Sequence, residues 1–199
     1  MNKGVLIFAH NSPKVDYALM AMVSGSLAKK NLNVPVSLVT DRNTLKWIEE
    51  SGKKELADII FEHIIVSDDV EQYNERRLFD GENSEVVPFK NFNRNLAFEL
   101  SPYDRTLLID SDYLVLSNRL NEYWDVEEDF LIAQSCADIH DDSRLGYLDK
   151  HISETGIHMF WATTIMFSKS SKSKIIFDYV DSIKENYLRV GIVEHTWTS

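Results

Sequence analysis

Thr106-Leu107-Leu108-Ile109-Asp110-Ser111-Asp112-Tyr113-Leu114-Val115-Leu116 is the stretch on which the reading of this chain turns. Four residues suited to a buried strand run into two carboxylates one residue apart, and apolar residues then resume. Strands buried on both faces read as continuous apolar runs, so this one predicts a central strand with Asp110 at its carboxyl end. Ligands of open α/β sheets bind outside that edge. An Asp-x-Asp there offers hard oxygen ligands to Mg²⁺ or Mn²⁺, ions that commonly bridge to substrate phosphates. On the residues alone, a strand end with two solvated acids describes it equally well, and the surroundings have to decide.

The chain has 199 residues, 44% of them hydrophobic, which suits one domain (1–199) with a sizeable core. Its 21 Lys and Arg against 32 Asp and Glu give a net charge of −11, and no basic run is longer than Arg76-Arg77. That argues against nucleic-acid binding, which rests on neutralising phosphates. It leaves room for a small anionic ligand, because a metal ion supplies positive charge. Apolar runs such as Gly4 to Ala9 are too short to span a membrane. Met1-Asn2-Lys3 enters a strand-like run without the features of a signal peptide. The single cysteine, Cys136, lies in an apolar stretch and reads as a core thiol. A cytoplasmic protein is the expectation.

Gly4 to Ala9 predicts a first strand, followed by a helix from about Lys14 to Lys30 with Ser12 as N-cap and Pro13 at its start. Val34 to Thr40 predicts a second strand, Asn43 to Ser51 a helix stopped by Gly52, and Ile59 to Val66 a third strand. Val70 to Phe92 is polar with little periodicity and reads as an irregular, mobile insertion that could serve as a lid. Asn93 to Leu100 predicts a helix leading into the Asp-x-Asp strand, and Leu120 to Trp124 a helical turn. Phe130 to Cys136 predicts a strand and Ile157 to Phe167 a strand pair or hairpin edge. Ser173 to Leu188 predicts an amphipathic helix with Ile175, Ile176, Tyr179, Val180 and Ile183 on one face. Such alternation predicts a largely parallel sheet with right-handed crossovers. Trp124, Trp161 and Trp197 are candidates for an exposed contact surface.

This order, ending in an apolar strand and Asp110-Ser111-Asp112, resembles the GT-A fold of nucleotide-sugar glycosyltransferases, most of all the retaining glycogenin and bacterial galactosyltransferase type. The local match runs from Arg94 to Trp124, with looser similarity over Gly4 to Tyr17 and Ile132 to Phe167. The resemblance implies a mostly parallel α/β sheet flanked by helices, a UDP-sugar donor, a glycan, lipid or protein acceptor, and Mn²⁺ or Mg²⁺ held by Asp110 and Asp112, with Ser111 between them against the donor. It implies that Arg94 holds the diphosphate or sugar, although the family more often has lysine there. Ala9, His10, Asn11 and Tyr17 fall where the family wraps the nucleoside, and Asp138 where it places an acid on the donor sugar. Arg94 and Asp138 are therefore also the candidate catalytic residues.

Two departures from the family pattern stand out. The family's Asn-Ser-Gly before its acceptor-side strand falls near Ala162-Thr163-Thr164, where only hydroxyl character survives. Its third metal ligand is a histidine in a C-terminal His-Gly-Lys segment, whereas this chain closes on Val193-Glu194-His195-Thr196-Trp197-Thr198-Ser199. His195 is the substitute candidate, and a C-terminally abbreviated GT-A domain is the expectation. The alternatives are a non-catalytic GT-A-like binding domain and an aspartate-nucleophile phosphohydrolase of the haloacid-dehalogenase type. The latter carries a similar Asp-x-Asp, but normally on its first strand.

Overall fold

The computed structural model describes residues 1–67, 75–79, 84–88, 92–134 and 160–185. Cys136, Asp138, Trp197 and His195 lie outside the described residues. In chain order the elements are β1 (Lys3–Phe8), α1 (Tyr17–Leu32), β2 (Val36–Thr40), α2 (Arg42–Glu50), α3 (Lys54–Ile60), β3 (His63–Val66), β4 (Glu75–Phe79) and β5 (Ser84–Pro88). A 3₁₀ turn at Phe92–Leu96 runs into α4 (Ala97–Leu100), followed by β6 (Arg105–Ile109), a 3₁₀ turn at Arg119–Tyr123, β7 (Phe130–Ala133), β8 (Trp161–Ser168) and α5 (Ser171–Glu185).

Six strands form one sheet in the order β3-β2-β1-β6-β8-β7. β3, β2, β1 and β6 are parallel neighbours, while β8 runs antiparallel to both β6 and β7. From β1 the chain winds outward through β2 to β3, then returns to lay β6 on the other side of β1. The strand order therefore reverses between β1 and β6, which opens a crevice at their carboxyl ends. Ile7 pairs with Ile109, so Ala9-His10 and Asp110-Ser111 leave the sheet side by side.

The apolar run is continuous because both sheet faces are covered. Val5, Ile7, Leu38, Leu107 and Ile109 pack with Ala18, Ala21, Met22 and Ala28 of α1 and Ile60 of α3. On the opposite face Leu6, Phe8, Val39, Leu108 and Phe167 pack with Ala97 of α4 and Phe177 of α5. The Phe167 and Phe177 rings meet edge to face with centroids 4.9 Å apart. At the start of the β1–β6 pair, the Tyr103 ring lies against Gly4, where any Cβ would collide with it. Tyr103 is 1% exposed, and its hydroxyl bonds Ser37 Oγ at 2.6 Å.

The helix stop signal at Gly52 operates as read, and a cap that was not read lies at the other end of the helix. Asp41 caps α2 by accepting from the Thr44 amide at 2.6 Å. Gly52 takes a φ of 71°, and the Gly52 and Lys53 amides return to Glu49 and Ile48 in a Schellman stop. Others differ. Ser12 caps only a turn, accepting from the Lys14 and Val15 amides, while Asp16 caps α1 by accepting from Leu19. Ser and Asp are both good N-caps and Pro13 suits a turn as well as a helix start, so composition does not choose between them. Ile59 and Ile60 belong to α3, where Ile60 packs against Gly25, and β3 begins only at His63.

The insertion is not irregular throughout. β4 and β5 pair antiparallel, Glu75 opposite Pro88 and Phe79 opposite Ser84. Trp161–Ser168 is a single eight-residue strand inside the sheet, not a hairpin edge. Trp124 is buried rather than displayed, its Nε1 donating to Asn121 Oδ1. On α5, Phe177 faces the core while Ile175, Tyr179, Val180 and Ile183 are exposed.

Burial raises the Tyr103 hydroxyl to about 12, against its hydrogen bond with Ser37, which pulls it down. The folded state thus holds this proton more tightly than the unfolded chain does. Its contribution is intact below about pH 10 and is lost as pH rises towards 12, on the order of 2–3 kcal/mol. Urea melts of the wild type and Tyr103→Phe across that interval should show a steeper decline for the wild type. Parallel declines would show that Tyr103 is not responsible.

Candidate functional site

β6 delivers Ile109 fully buried and ends where the Asp110 amide makes its last ladder bond, to Thr163 O at 3.2 Å. The Tyr113 amide then returns to Asp110 O at 3.1 Å, so Asp110-Ser111-Asp112-Tyr113 is a tight turn. Aspartate suits the first position of such a turn. The outgoing chain is pinned from α1, with Ser24 Oγ donating to Tyr113 O at 2.6 Å and Asn31 Nδ2 to Val115 O at 2.7 Å. Asp110 is half-buried, Ser111 is buried and Asp112 is exposed. One turn therefore carries two carboxylates at the crevice mouth, one half-buried and one exposed.

Arg94 meets Asp110 from the opposite side. It lies in the 3₁₀ turn before α4, between two residues tied to α5: Lys184 Nζ donates to Asn93 Oδ1 at 3.1 Å and Asn95 Nδ2 to Asp181 Oδ1 at 2.6 Å. Its Nη1 donates to Asp110 Oδ1 at 2.5 Å, with the two side chains 18% and 22% exposed. Its buried Nη2 has no hydrogen-bond partner among the described residues. Burial lowers the Arg94 pKa below that of an ordinary guanidinium although Asp110 and Asp112 both pull it up. Burial likewise raises the Asp110 carboxyl against the opposing pull of Arg94. Both partners give the same answer: desolvation outweighs the ion pair, and the site is short of compensating polar contacts.

The β1 loop is organised differently. The Ala9 amide bonds Val39 O, and Ala9 O accepts from Thr40 Oγ1. The Asn11 amide bonds Thr44 Oγ1, its Oδ1 accepts from the Ala18 amide, and its Nδ2 donates to Asp16. Both residues thus build the loop and the start of α1, leaving them to shape the crevice. His10 is buried at the end of this strand and Tyr17 is half-buried against the core at the first position of α1.

A cleft of about 370 Å³ opens on the α1 side of β6, β8 and β7, lined by Leu107, Tyr113, Tyr123, Leu131, Thr164 and Met166 among others. Tyr113 closes the Asp-x-Asp turn and Thr164 pairs with Ile109, so the cleft adjoins the carboxylates. It could not be read from the sequence, because it is assembled from three strands and a turn distant in the chain.

For a divalent cation the donor set is Asp110 and Asp112, hard oxygens of the kind used by Mg²⁺ and Mn²⁺ ions that also bind substrate phosphates. Among the described residues no group of three or more His, Cys, Asp or Glu is placed to hold a metal. Two carboxylates would supply only part of a cation's coordination, so the chemistry of the donor set fits a cation that takes further oxygen ligands from outside the described residues. No helix among the described residues is long and apolar enough to cross a membrane.

No family model and no curated protein sequence matches the chain. Its fold is similar to that of the glycosyltransferase GlyE of Streptococcus pneumoniae TIGR4, at a TM-score of 0.53 and 15% identity over 96% of this chain and 40% of that one. It is similar to the galactosyltransferase LgtC, solved with donor and acceptor sugar analogues, at 0.54 and 14% identity over 93% of this chain and 65% of that one. It is similar to the bifunctional glycosyltransferase WbbM at 0.55 and 16% identity over 92% of this chain and 34% of that one. This chain thus spans less than two thirds of the length of each. It has the GT-A glycosyltransferase fold, and the phosphohydrolase alternative is left with a short motif alone.

An under-compensated ion pair has a measurable consequence. Asp110→Asn alone should cost about 1–3 kcal/mol in urea denaturation, because it leaves the Arg94 cation buried beside a neutral partner. Adding Arg94→Met should return stability to within about 1 kcal/mol of the wild type. A double variant as unstable as the single one would show that the pair carries net stabilisation.

Proposed function

We propose that this chain binds a nucleotide-sugar, with UDP-sugar the favoured donor, through a divalent cation on Asp110 and Asp112, and transfers the sugar to an acceptor. One observation carries the reading. At the point where a GT-A sheet reverses its order, a single turn presents two carboxylates beside a buried arginine whose second nitrogen lacks a partner among the described residues.

Asp110 and Asp112 would hold Mn²⁺ or Mg²⁺, which would supply Lewis-acid neutralisation of charge on the leaving diphosphate. The chain's own contribution is arrangement. The turn fixes Asp110 and Asp112, and the α1 bonds to Tyr113 and Val115 keep it from drifting. Arg94 Nη2 is the donor available to a diphosphate oxygen, and a charge-assisted bond preorganised at low dielectric is worth several kcal/mol, on the order of 3. On this reading the nucleoside would lie on the β1 side, against the segment that carries Ala9, His10, Asn11 and Tyr17, with Ser111 contacting the donor from the turn.

The adjoining cleft would receive the sugar or its acceptor, with Tyr113 and Tyr123 offering ring faces and Thr164 a hydroxyl. Transfer with retention needs no protein nucleophile: the bond from the anomeric carbon to the diphosphate breaks with its electrons on the diphosphate, and the acceptor oxygen bonds on that same face. The acceptor's proton then passes to the departing diphosphate.

A second reading, a donor-holding domain that performs no transfer, is favoured by the two-carboxylate donor set among the described residues. Calorimetric titration with UDP, with and without Mn²⁺, tests what the two readings share. We expect metal-dependent binding that weakens by about tenfold or more in Asp112→Ala. UDP binding that is absent under both conditions would sink the proposal. UDP release from UDP-sugars then separates an enzyme from a binding domain.

A further inference from the structure

Arg94 does more at this site than wait for an anion, and the reasoning rests on the donor-binding reading above. It occupies the inner carboxylate directly, Nη1 on Asp110 Oδ1 at 2.5 Å, and feels the attraction of Asp112 as well. It cannot easily withdraw, because the residues on either side of it are bonded to Lys184 and Asp181 of α5. The turn opposite is equally fixed, by Ser24 and Asn31 of α1. The two halves of the ion pair thus stand on separately anchored pieces of backbone.

Charge counting then separates two situations. Two carboxylates alone would neutralise a divalent cation. Two carboxylates with a resident guanidinium leave one net negative charge, and a bare dication entering there must share Asp110 with a like charge and ends in a site of net positive charge. A dication arriving with a diphosphate escapes this. The anion's two or three negative charges more than offset the single excess positive charge, and Nη2, which has no partner among the described residues, gains an oxygen to bond. We infer that Arg94 makes the site discriminate against the free divalent cation in favour of the cation–diphosphate complex, so that metal and donor bind as a coupled pair.

The linkage is reciprocal: whatever factor the diphosphate lends to the metal, the metal lends to the diphosphate. Binding of Mn²⁺, read from loss of the free-ion paramagnetic resonance signal, should tighten by at least about tenfold in wild-type protein when UDP is present. In Arg94→Met without nucleotide, Mn²⁺ should bind at least about tenfold more tightly than in the wild type, while UDP with Mn²⁺ binds more weakly. Arg94→Lys, which keeps the charge, should keep the discrimination against bare Mn²⁺.

An Arg94→Met protein whose affinity for bare Mn²⁺ is unchanged or weaker overturns the inference, and if wild-type UDP binding requires Mn²⁺ the donor-binding reading survives that loss. Wild-type protein that binds Mn²⁺ equally well with and without UDP also overturns it, whether or not the variants fold. A wild type that binds no UDP under any condition removes the donor-binding reading, and this inference with it.

Discussion

The parallel pairing of Lys3–Phe8 with Arg105–Ile109 is the constraint on which the rest of the molecule depends. β2 and β3 hang from one side of this pair, β8 and β7 from the other. Its start is held by the Arg105 amide on Asn2 O, by the Asn2 amide on Asp104, and by the Tyr103 ring that fits because residue 4 has no side chain. Arg105 adds a buried clamp, reaching Ser168 Oγ and the carbonyls of Tyr123 and Glu128. A slip of one residue in a sheet buried on both faces would turn every apolar side chain to the wrong layer. Register at the amino end therefore fixes, five residues on, which groups face one another at the carboxyl end. The place of Asp110 beside the end of β1 is thus a consequence of packing far from any chemistry.

Packing and chemistry ask for different things at that end. The core tolerates no unsatisfied polar atom cheaply, yet Arg94 Nη2 is buried without a partner among the described residues and Asp110 is desolvated beyond what its ion pair offsets. Burial rules that hold through β1 and β2 are broken here, and such breaks are expected where a ligand completes the arrangement. Fixed backbone on both sides keeps the broken rule from relaxing. α1 holds the turn and α5 holds the arginine, so the two carry site geometry as well as core.

The carboxylate half of the site was legible because one short segment encodes it: a run buried on both faces ends in Asp-x-Asp, and the order of elements before it gives the switch point. Arg94 was legible only through family likeness, since a separation of 16 residues with no regular period carries no contact information. β8 between β6 and β7 was not legible, because a long connection separates β7 from its neighbour and strand pairing is non-local. Ile59 and Ile60 mislead for a related reason: their β-branched side chains favour a strand, but packing of Ile60 against Gly25 holds them in α3. The Asp80-Gly81 turn signal between β4 and β5 was present and was outweighed by the polarity around it.

Charge raises a last question, how a protein with 32 acidic and 21 basic side chains would attract the proposed polyanionic donor. Its average field repels a nucleotide-sugar, so attraction has to be local. A divalent cation on Asp110 and Asp112 would neutralise that turn and leave the Arg94 charge uncompensated beside it. Lysine in that place would be a strongly hydrated point charge free to follow either carboxylate. The planar fork of arginine commits one nitrogen to Asp110 and keeps the other aimed in a fixed direction. On this reading the acidic surface and the resident guanidinium serve one end: neither a bare anion nor a bare cation finds a complementary site, and their complex does.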